Sequence, residues 1–132
     1  MWGKKIKLDP ADTEFSVHIR LRDKKCLRCG RIGEPDRFGR PIKGLECSHY
    51  WSRRHEGTRF EPDDCMTFCA YDHDYLGHGE GRDEYKKMMT DKLGPARMKT
   101  LEVQAFTYHK KDRKMEWIKF KELNKTYDEN NN

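Results

Sequence analysis

The chain has 132 residues, of which 39% are charged and 34% hydrophobic, and its formal net charge is +5. This length suits one compact domain with a modest core, and a domain with such a core often needs a staple, that is, a cross-link such as a disulfide or a bound metal ion. No apolar run approaches the ~20 residues needed to cross a bilayer, and residues 1–6 lack the apolar centre of a signal peptide. The composition therefore argues against a membrane protein and a secreted disulfide scaffold. The five cysteines are expected in a reducing compartment, where clustered cysteines bind metal more often than they pair.

Charge is distributed unevenly along the chain. Residues 16–60 and 85–127 each carry twelve Lys/Arg and five Asp/Glu, whereas residues 61–84 carry one Arg and eight acidic residues. A basic surface attracts the phosphate backbone of nucleic acids. An acidic centre inside a nucleic-acid-binding protein suggests a bound cation. The alternative is that these runs are ordinary solvated faces.

Residue spacing and punctuation predict the order of the elements. Asp9 as N-cap and Pro10 at the first helical position indicate where the first helix begins. In chain order, the sequence predicts a helix over 10–21, a loop over 30–44, a short strand over 45–51, a loop over 52–64, a short strand over 65–68, and helices over 70–76, 83–93 and 96–126. The last helix has room for a break near His109. Residues 128–132 are predicted to be a disordered tail because they have nothing to bury.

Two cysteine-containing segments predict a structural zinc site. Cys26 and Cys29 are separated by two residues, and this gap allows both thiolates to bind one tetrahedral zinc ion. Cys69 and Asp72 repeat the gap, with a carboxylate in place of the second thiolate. Because such a site needs four ligands, we expect these four residues to form it together.

The fourth zinc ligand has two alternatives. Cys47 and Cys65 could each replace Asp72 in the set, or they could be small buried hydrophobic residues. A redox dithiol at Cys26 and Cys29 is less favoured, because no βαβ pattern surrounds it.

Two histidines and one aspartate have the spacing of a nuclease motif. His49 ends the first predicted strand, Asp64 follows after fourteen residues, and His73 follows after eight more. This spacing resembles the HNH, or ββα-metal, motif. The resemblance implies that His49 is the general base, that Asp64 braces the loop carrying it, and that His73 holds a divalent metal. Phosphodiester hydrolysis needs a base near neutrality and a cation beside the departing oxygen, which suits these residue types.

The remaining site residues follow from departures from that motif. Ser48 stands just before the base, where many HNH enzymes have a metal ligand, so we expect His78 to bind the catalytic metal. Glu46 is the alternative ligand, because it shares a strand face with Ser48. Three arginines after the base are predicted to contact phosphates on either side of the cut, or else to be solvated: Arg53, Arg54 and Arg59.

Longer segments resemble a particular family. Two stretches are similar to the phage NinG/Rap recombination family: Phe15-Ser16-x-x-Ile19-Arg20-x-Arg22-Asp23 followed by Cys26-x-x-Cys29-Gly30, and Ser48-His49-Tyr50-x-Ser52-Arg53 with Arg59-Phe60 and Cys69. The resemblance covers about residues 12–95. It implies a metal-dependent endonuclease that acts on recombination or branched DNA intermediates in the cytoplasm of a phage-infected host cell.

The sequence therefore predicts a small α+β protein in three parts. Residues 1–94 form a zinc-stapled HNH-like core with an N-terminal helix, residues 95–127 form a basic helical extension, and residues 128–132 form the tail. Zinc is expected as structural cofactor, and Mg²⁺ or Mn²⁺ as catalytic cofactor. DNA is the expected partner, no membrane is expected, and a homodimer would allow two symmetric cuts. The alternatives are a non-catalytic zinc-containing nucleic-acid-binding module and a protein-interaction adaptor.

Overall fold

A computed structural model describes residues 6–131 of the chain. Over these residues the fold contains five α-helices and two small antiparallel sheets, so the predicted α+β class is confirmed. The elements are α1 (Pro10–Asp23), β1 (Glu34–Pro35), β2 (Pro41–Lys43), β3 (Leu45–His49), β4 (Cys65–Cys69), α2 (Ala70–Gly77), α3 (Arg82–Leu93), α4 (Pro95–Phe106) and α5 (Arg113–Asn130). None of the helices in this range has the length and apolar character needed to span a membrane. The predictions for residues 1–5 and Asn132 lie outside the described residues.

Helix α1 begins where its capping residues predict. The side chain of Asp9 accepts a hydrogen bond from the Ala11 amide at 2.9 Å, and the side chain of Asp12 accepts one from the Asp9 amide at 2.8 Å. This reciprocal pair satisfies N–H groups that the first helical turn leaves without partners. The helix ends at Asp23, and the left-handed φ of 62° at the following residue, Lys24, turns the chain toward the knuckle formed by residues 26–29.

The β3–β4 hairpin is the centre of the fold. Leu45 pairs with Cys69 at one end and His49 pairs with Cys65 at the other. Because side chains alternate between the two faces of a strand, Cys47 and His49 point to one face and Glu46 and Ser48 to the other. Helix α1 packs against the hairpin, and α2 also contacts both of its strands. The two predicted short strands are confirmed, but the first ends at His49, so the prediction of strand at Tyr50 and Trp51 is wrong.

Two apolar clusters surround the hairpin. The first joins the β3–β4 hairpin to α2, α3 and α4 through fully buried Phe68, Leu76 and Tyr85. The second joins the hairpin to α1 and α5 through fully buried Phe15 and Phe120. The hairpin is thus packed on both faces, which fixes the positions of the side chains that it carries.

Two predicted loops contain regular structure. Residues 30–44 fold into the β1–β2 ribbon, because Asp36 accepts hydrogen bonds from the Phe38 and Arg40 amides and Gly39 adopts a φ of +80°. This side-chain bonding and the positive φ reverse the chain in a few residues. Residues 52–64 contain two single 3₁₀ turns, at Glu56–Thr58 and Pro62–Asp64.

The C-terminal segment folds back onto the N-terminal helix. Residues 107–112 separate α4 from α5, as the predicted break near His109 allowed, and α5 packs along α1. Residues 128–130 belong to α5 and are not a disordered tail, because Asp128 pairs with Arg40 at 2.9 Å. The predicted division of the chain at residue 94 stays a prediction.

Candidate functional site

Four predicted zinc ligands lie together beside the hairpin. Cys26 and Cys29 belong to the knuckle after α1, Cys69 ends β4, and Asp72 lies in the first turn of α2. Their ligand atoms all lie within 4.8 Å of one another, so this set could hold a metal ion. Oδ2 of Asp72 lies 3.1 Å from Sγ of Cys26 and 3.4 Å from Sγ of Cys69. Of the three candidates for the fourth position, the fold brings Asp72 to the knuckle.

Arg28 holds the carboxylate of Asp72 in place. Its Nη1 donates to Oδ1 of Asp72 at 2.7 Å, while its Nε donates to Glu84 at 2.7 Å. Burial alone would raise the pKa of Asp72, but hydrogen bonds from Arg28 and from the thiols of Cys26 and Cys69 lower it below its ordinary value. Oδ1 is therefore occupied by Arg28, while Oδ2 faces the sulfur atoms as an anionic oxygen. No pattern in the sequence indicates this role of Arg28.

The crowding of acidic groups favours a cation within the cluster. A hydrogen bond from the Arg31 amide stabilises the Cys29 thiolate, but neighbouring Cys26, Asp72 and Cys69 outweigh it and raise the pKa of Cys29 to about 11. A divalent ion would reverse this balance, because a metal binds thiolates and deprotonates a coordinating thiol. The cluster is suited to a soft divalent ion.

A cleft of about 550 Å³ brings the predicted catalytic residues together. It lies between the N-terminal part of the chain, strand β3 and the segment that follows β3. Its lining includes the three histidines predicted to act in catalysis and two of the predicted phosphate-binding arginines: His49, His73, His78, Arg53 and Arg54. Glu46 and Cys47 also line the cleft, as does Arg20, for which we predicted no site role.

His49 is oriented by a backbone carbonyl. Its Nε2 lies 2.9 Å from the carbonyl oxygen of Arg59. A neutral imidazole that donates from Nε2 carries its lone pair on Nδ1. Burial lowers the pKa of His49 to about 4, although the bond to the Arg59 carbonyl favours the protonated form. His49 is therefore neutral at pH 7 and has an acceptor nitrogen, but its pKa lies below the near-neutral value that the motif led us to expect of a general base.

Asp64 braces the segment that follows His49. Its Oδ1 accepts a hydrogen bond from the Trp51 amide at 2.9 Å, and its carbonyl accepts one from the Tyr50 amide at 2.8 Å. The side chain is fully buried, its Oδ2 has no hydrogen-bond partner among the residues that the structure describes, and burial raises its pKa well above the ordinary value. Asp64 thus acts on the backbone beside the base, from outside the lining of the cleft.

His73 and His78 form a pair at the cleft. Their ring centroids lie 5.4 Å apart. Nδ1 of His73 lies 2.7 Å from Oε1 of Glu46. Glu46, the alternative ligand, therefore contacts His73 directly. Within residues 6–131, neither histidine belongs to a set of three or more potential ligands within 4.8 Å.

The three predicted phosphate-binding arginines have different environments. Arg53 and Arg54 line the cleft, whereas the guanidinium of Arg59 is buried against Asp12 at 2.6 Å and also donates to the Lys7 carbonyl. The prediction that Arg59 contacts phosphate is corrected, because a guanidinium in a buried ion pair is not available to a ligand. Its adjacent aromatic residue, Phe60, gave a weak sign of burial.

A third group of potential ligands was not expected. Cys47, His49 and Cys65 have ligand atoms within 4.8 Å of one another, and they could also hold a metal ion. The alternation of Cys47 and His49 along β3 places both on one strand face, but their proximity to Cys65 depends on the register of the hairpin.

Comparison of the chain with protein-family models, curated proteins and solved structures finds no match.

Proposed function

We propose that this protein is a metal-dependent endonuclease of the HNH type that hydrolyses phosphodiester bonds in DNA. Recombination or branched DNA intermediates of a phage are the proposed substrates. The observation that supports the proposal most is the shared cleft, which has a neutral His49, the His73–His78 pair and Arg53 in its lining. These are the groups needed to accept a proton, bind a divalent ion and contact a phosphate.

In this proposal His49 activates the water that attacks phosphorus. Nε2 donates to the Arg59 carbonyl, so Nδ1 accepts the proton of the water. The hydrogen bond between Asp64 and the Trp51 amide keeps the segment after His49 in position. His49 therefore acts on the reacting atoms, whereas Asp64 positions the backbone beside it.

His73 and His78 would hold the catalytic metal. The carboxylate of Glu46 accepts a hydrogen bond from Nδ1 of His73, which leaves Nε2 of that ring as the ligand atom. A Mg²⁺ or Mn²⁺ ion bound there supplies Lewis-acid stabilisation of the phosphate and of the departing oxygen. Arg53 and Arg54 would contact neighbouring phosphates, which fixes the DNA strand across the cleft.

Zinc is the proposed occupant of the cluster formed by Cys26, Cys29, Cys69 and Asp72. Three thiolates and one carboxylate supply the four ligands that a tetrahedral zinc site needs. Because thiolates are soft ligands, this set would favour zinc. The ion would join the knuckle after α1 to the β4–α2 junction, and so hold together elements far apart in the sequence. This staple compensates for the modest core of a chain in which only 34% of residues are hydrophobic.

A non-catalytic zinc-containing nucleic-acid-binding module is the second candidate. The observation that favours it is that neither His73 nor His78 joins a set of three close ligands in the described part of the chain. Under this reading the cleft and the basic residues after α4, such as Lys110 and Lys111, bind the DNA backbone without cleaving it.

Plasmid nicking distinguishes the two candidates. Purified protein is incubated with supercoiled plasmid and Mg²⁺ or Mn²⁺, with EDTA as the metal-free control. We expect nicking that EDTA abolishes and that added Mn²⁺ restores, and we expect His73→Ala to abolish it. His109→Ala removes an exposed histidine outside the cleft and is the matched control. DNA binding without nicking in either metal would favour the second candidate.

A further inference from the structure

We propose that Cys47, His49 and Cys65 form a second, inhibitory binding site for a soft divalent metal ion such as Zn²⁺. Their ligand atoms lie within 4.8 Å of one another. Tetrahedral ligands about 2.3 Å from zinc lie about 3.8 Å apart. The three side chains thus need to close by no more than about 1 Å around an ion.

The hairpin register creates this site. His49 is paired with Cys65, and Cys47 is paired with Thr67, so all three ligands project from the same face of the β3–β4 hairpin. The hydroxyl of Thr67 on that face donates to the Ile19 carbonyl in α1. The site therefore lies between the hairpin and α1, where packing limits the movement of its ligands.

An ion can reach the site from the cleft. Cys47 and His49 both line the cleft, whereas Cys65 is fully buried behind them. The ion would then have three protein ligands and one position open to water. Two thiol protons leave when the ion binds, because metals bind the thiolate form of cysteine.

A bound metal suits the Cys47–Cys65 pair better than a disulfide bond does. Both of these cysteines are free thiols. They are diagonal neighbours in the antiparallel ladder, and such pairs have Cα atoms about 7–8 Å apart. A disulfide cannot span more than about 7 Å without backbone movement.

Binding at this site would inhibit the proposed reaction. Nε2 of His49 is engaged with the Arg59 carbonyl, so Nδ1 is the nitrogen available to a metal. Nδ1 is also the nitrogen that accepts the proton from water in the proposed mechanism. One lone pair cannot serve both purposes, so the inhibition, but not the binding, rests on the proposed function. Thiolates select zinc over Mg²⁺, so Mg²⁺ itself would not occupy the inhibitory site, and Mg²⁺-supported cleavage would be inhibited only when zinc is present.

Cobalt binding tests the site without an activity assay. The full chain is titrated with Co²⁺, and thiolate-to-cobalt charge-transfer absorption is recorded alongside the number of ions retained. We expect the wild-type protein to retain about one ion per chain more than Cys47→Ser, with a matching loss of absorption in the variant. Cys65→Ser should behave in the same way, and Cys47→Ser remains informative if loss of the buried Cys65 thiol prevents folding. Equal retention and equal absorption in wild type and Cys47→Ser would overturn the proposal.

Zinc titration of Mg²⁺-supported nicking tests inhibition. Each protein is normalised to its own rate without added zinc, and we expect the zinc concentration for half-inhibition to rise at least tenfold in Cys47→Ser. The same half-inhibition concentration in both proteins would overturn the inhibitory role. If neither protein nicks DNA, the proposed nuclease function fails while the cobalt result still decides the site. A wild-type mass lower by two hydrogens, with no cobalt uptake at this site, would indicate a disulfide and overturn the proposal.

Discussion

Nδ1 of His73 on α2 lies 2.7 Å from Oε1 of Glu46 on β3. The carboxylate fixes the ring orientation and places the lone pair of a neutral imidazole on Nε2. Carboxylates that accept a hydrogen bond from a metal-binding histidine also increase its basicity as a ligand. In the proposed metal site, Glu46 would therefore orient His73 without itself being a ligand.

Glu46→Gln should weaken binding of the catalytic metal. The amide can still accept a hydrogen bond from His73, but it no longer supplies the negative charge that polarises the ring. We expect the Mn²⁺ concentration for half-maximal nicking to rise about 10–100-fold, with a smaller change at saturating metal. Glu122→Gln, on an exposed position of α5, is the matched control. An unchanged half-maximal concentration would show that the Glu46–His73 contact has no part in metal binding.

Cys26→Ser should remove the structural ion and destabilise the fold. Structural zinc contributes directly to folding free energy, so losing one thiolate ligand should sharply lower the melting temperature. Elemental analysis should find about one zinc ion per chain in the wild type, purified without added metal, and much less in this variant. Cys47→Ser, which lies outside the staple set, should retain the ion. Metal-free wild-type protein that melts at the same temperature as the zinc-loaded protein would contradict the staple.

Asp64→Asn should increase the stability of the fold, and the increase should be largest at high pH. Burial raises the pKa of Asp64 above its ordinary 3.8, so the native state holds this proton more tightly than the unfolded state does. Wild-type stability from this group is therefore present at low pH and is lost as the pH rises from 3.8 through the raised native pKa. Asparagine stays neutral and retains an acceptor for the Trp51 amide. Melting temperatures should show an advantage of the variant at pH 8 that shrinks toward pH 4.

Asp64→Ala provides the contrast. It leaves the Trp51 amide without its partner, which costs about 1–3 kcal/mol for a buried group. If alanine and asparagine at position 64 were equally stable at pH 8, the brace would have no energetic role.

Arg53→Ala and Arg59→Ala should affect different properties, the first DNA binding and the second the stability of the fold. Arg53 lines the cleft, so its loss should weaken DNA binding and reduce the slope of log affinity against log salt by about 1. Arg59 is in a buried ion pair with Asp12, so its loss should lower the free energy of unfolding by about 3–5 kcal/mol. Binding measured over a salt series and chemical denaturation separate the two. A stable Arg59→Ala protein with weakened DNA binding would reinstate Arg59 as a phosphate contact.

Local signals predicted the elements that carry the site. The Asp9–Pro10 cap, the two short strands that begin at Leu45 and Cys65 and the helix after Cys69 were all recognisable, because each depends on residues close in sequence. The two-residue gaps also identified the cysteine cluster, which the fold assembles from segments 40 positions apart at their closest, between Cys29 and Cys69.

Long-range contacts account for what the sequence did not predict. The burial of Arg59 depends on Asp12, 47 positions away, and the placement of Arg28 on Asp72 depends on the meeting of the knuckle with α2. The helical structure of residues 128–130 likewise accompanies a pairing with Arg40, across 88 positions. Propensity and spacing describe neighbours along the chain, and they carry no information about such partners.

The proton-accepting role of His49 is the central claim, and single-turnover cleavage by His49→Ala tests it most directly. The rate is measured with saturating protein and Mn²⁺, and DNA affinity is measured separately in Ca²⁺. A positioned base contributes about 10²–10⁴-fold to a rate, so we predict a loss of that size with affinity unchanged within a few-fold. A His49→Ala protein that binds DNA normally and cleaves at the wild-type rate would contradict the account.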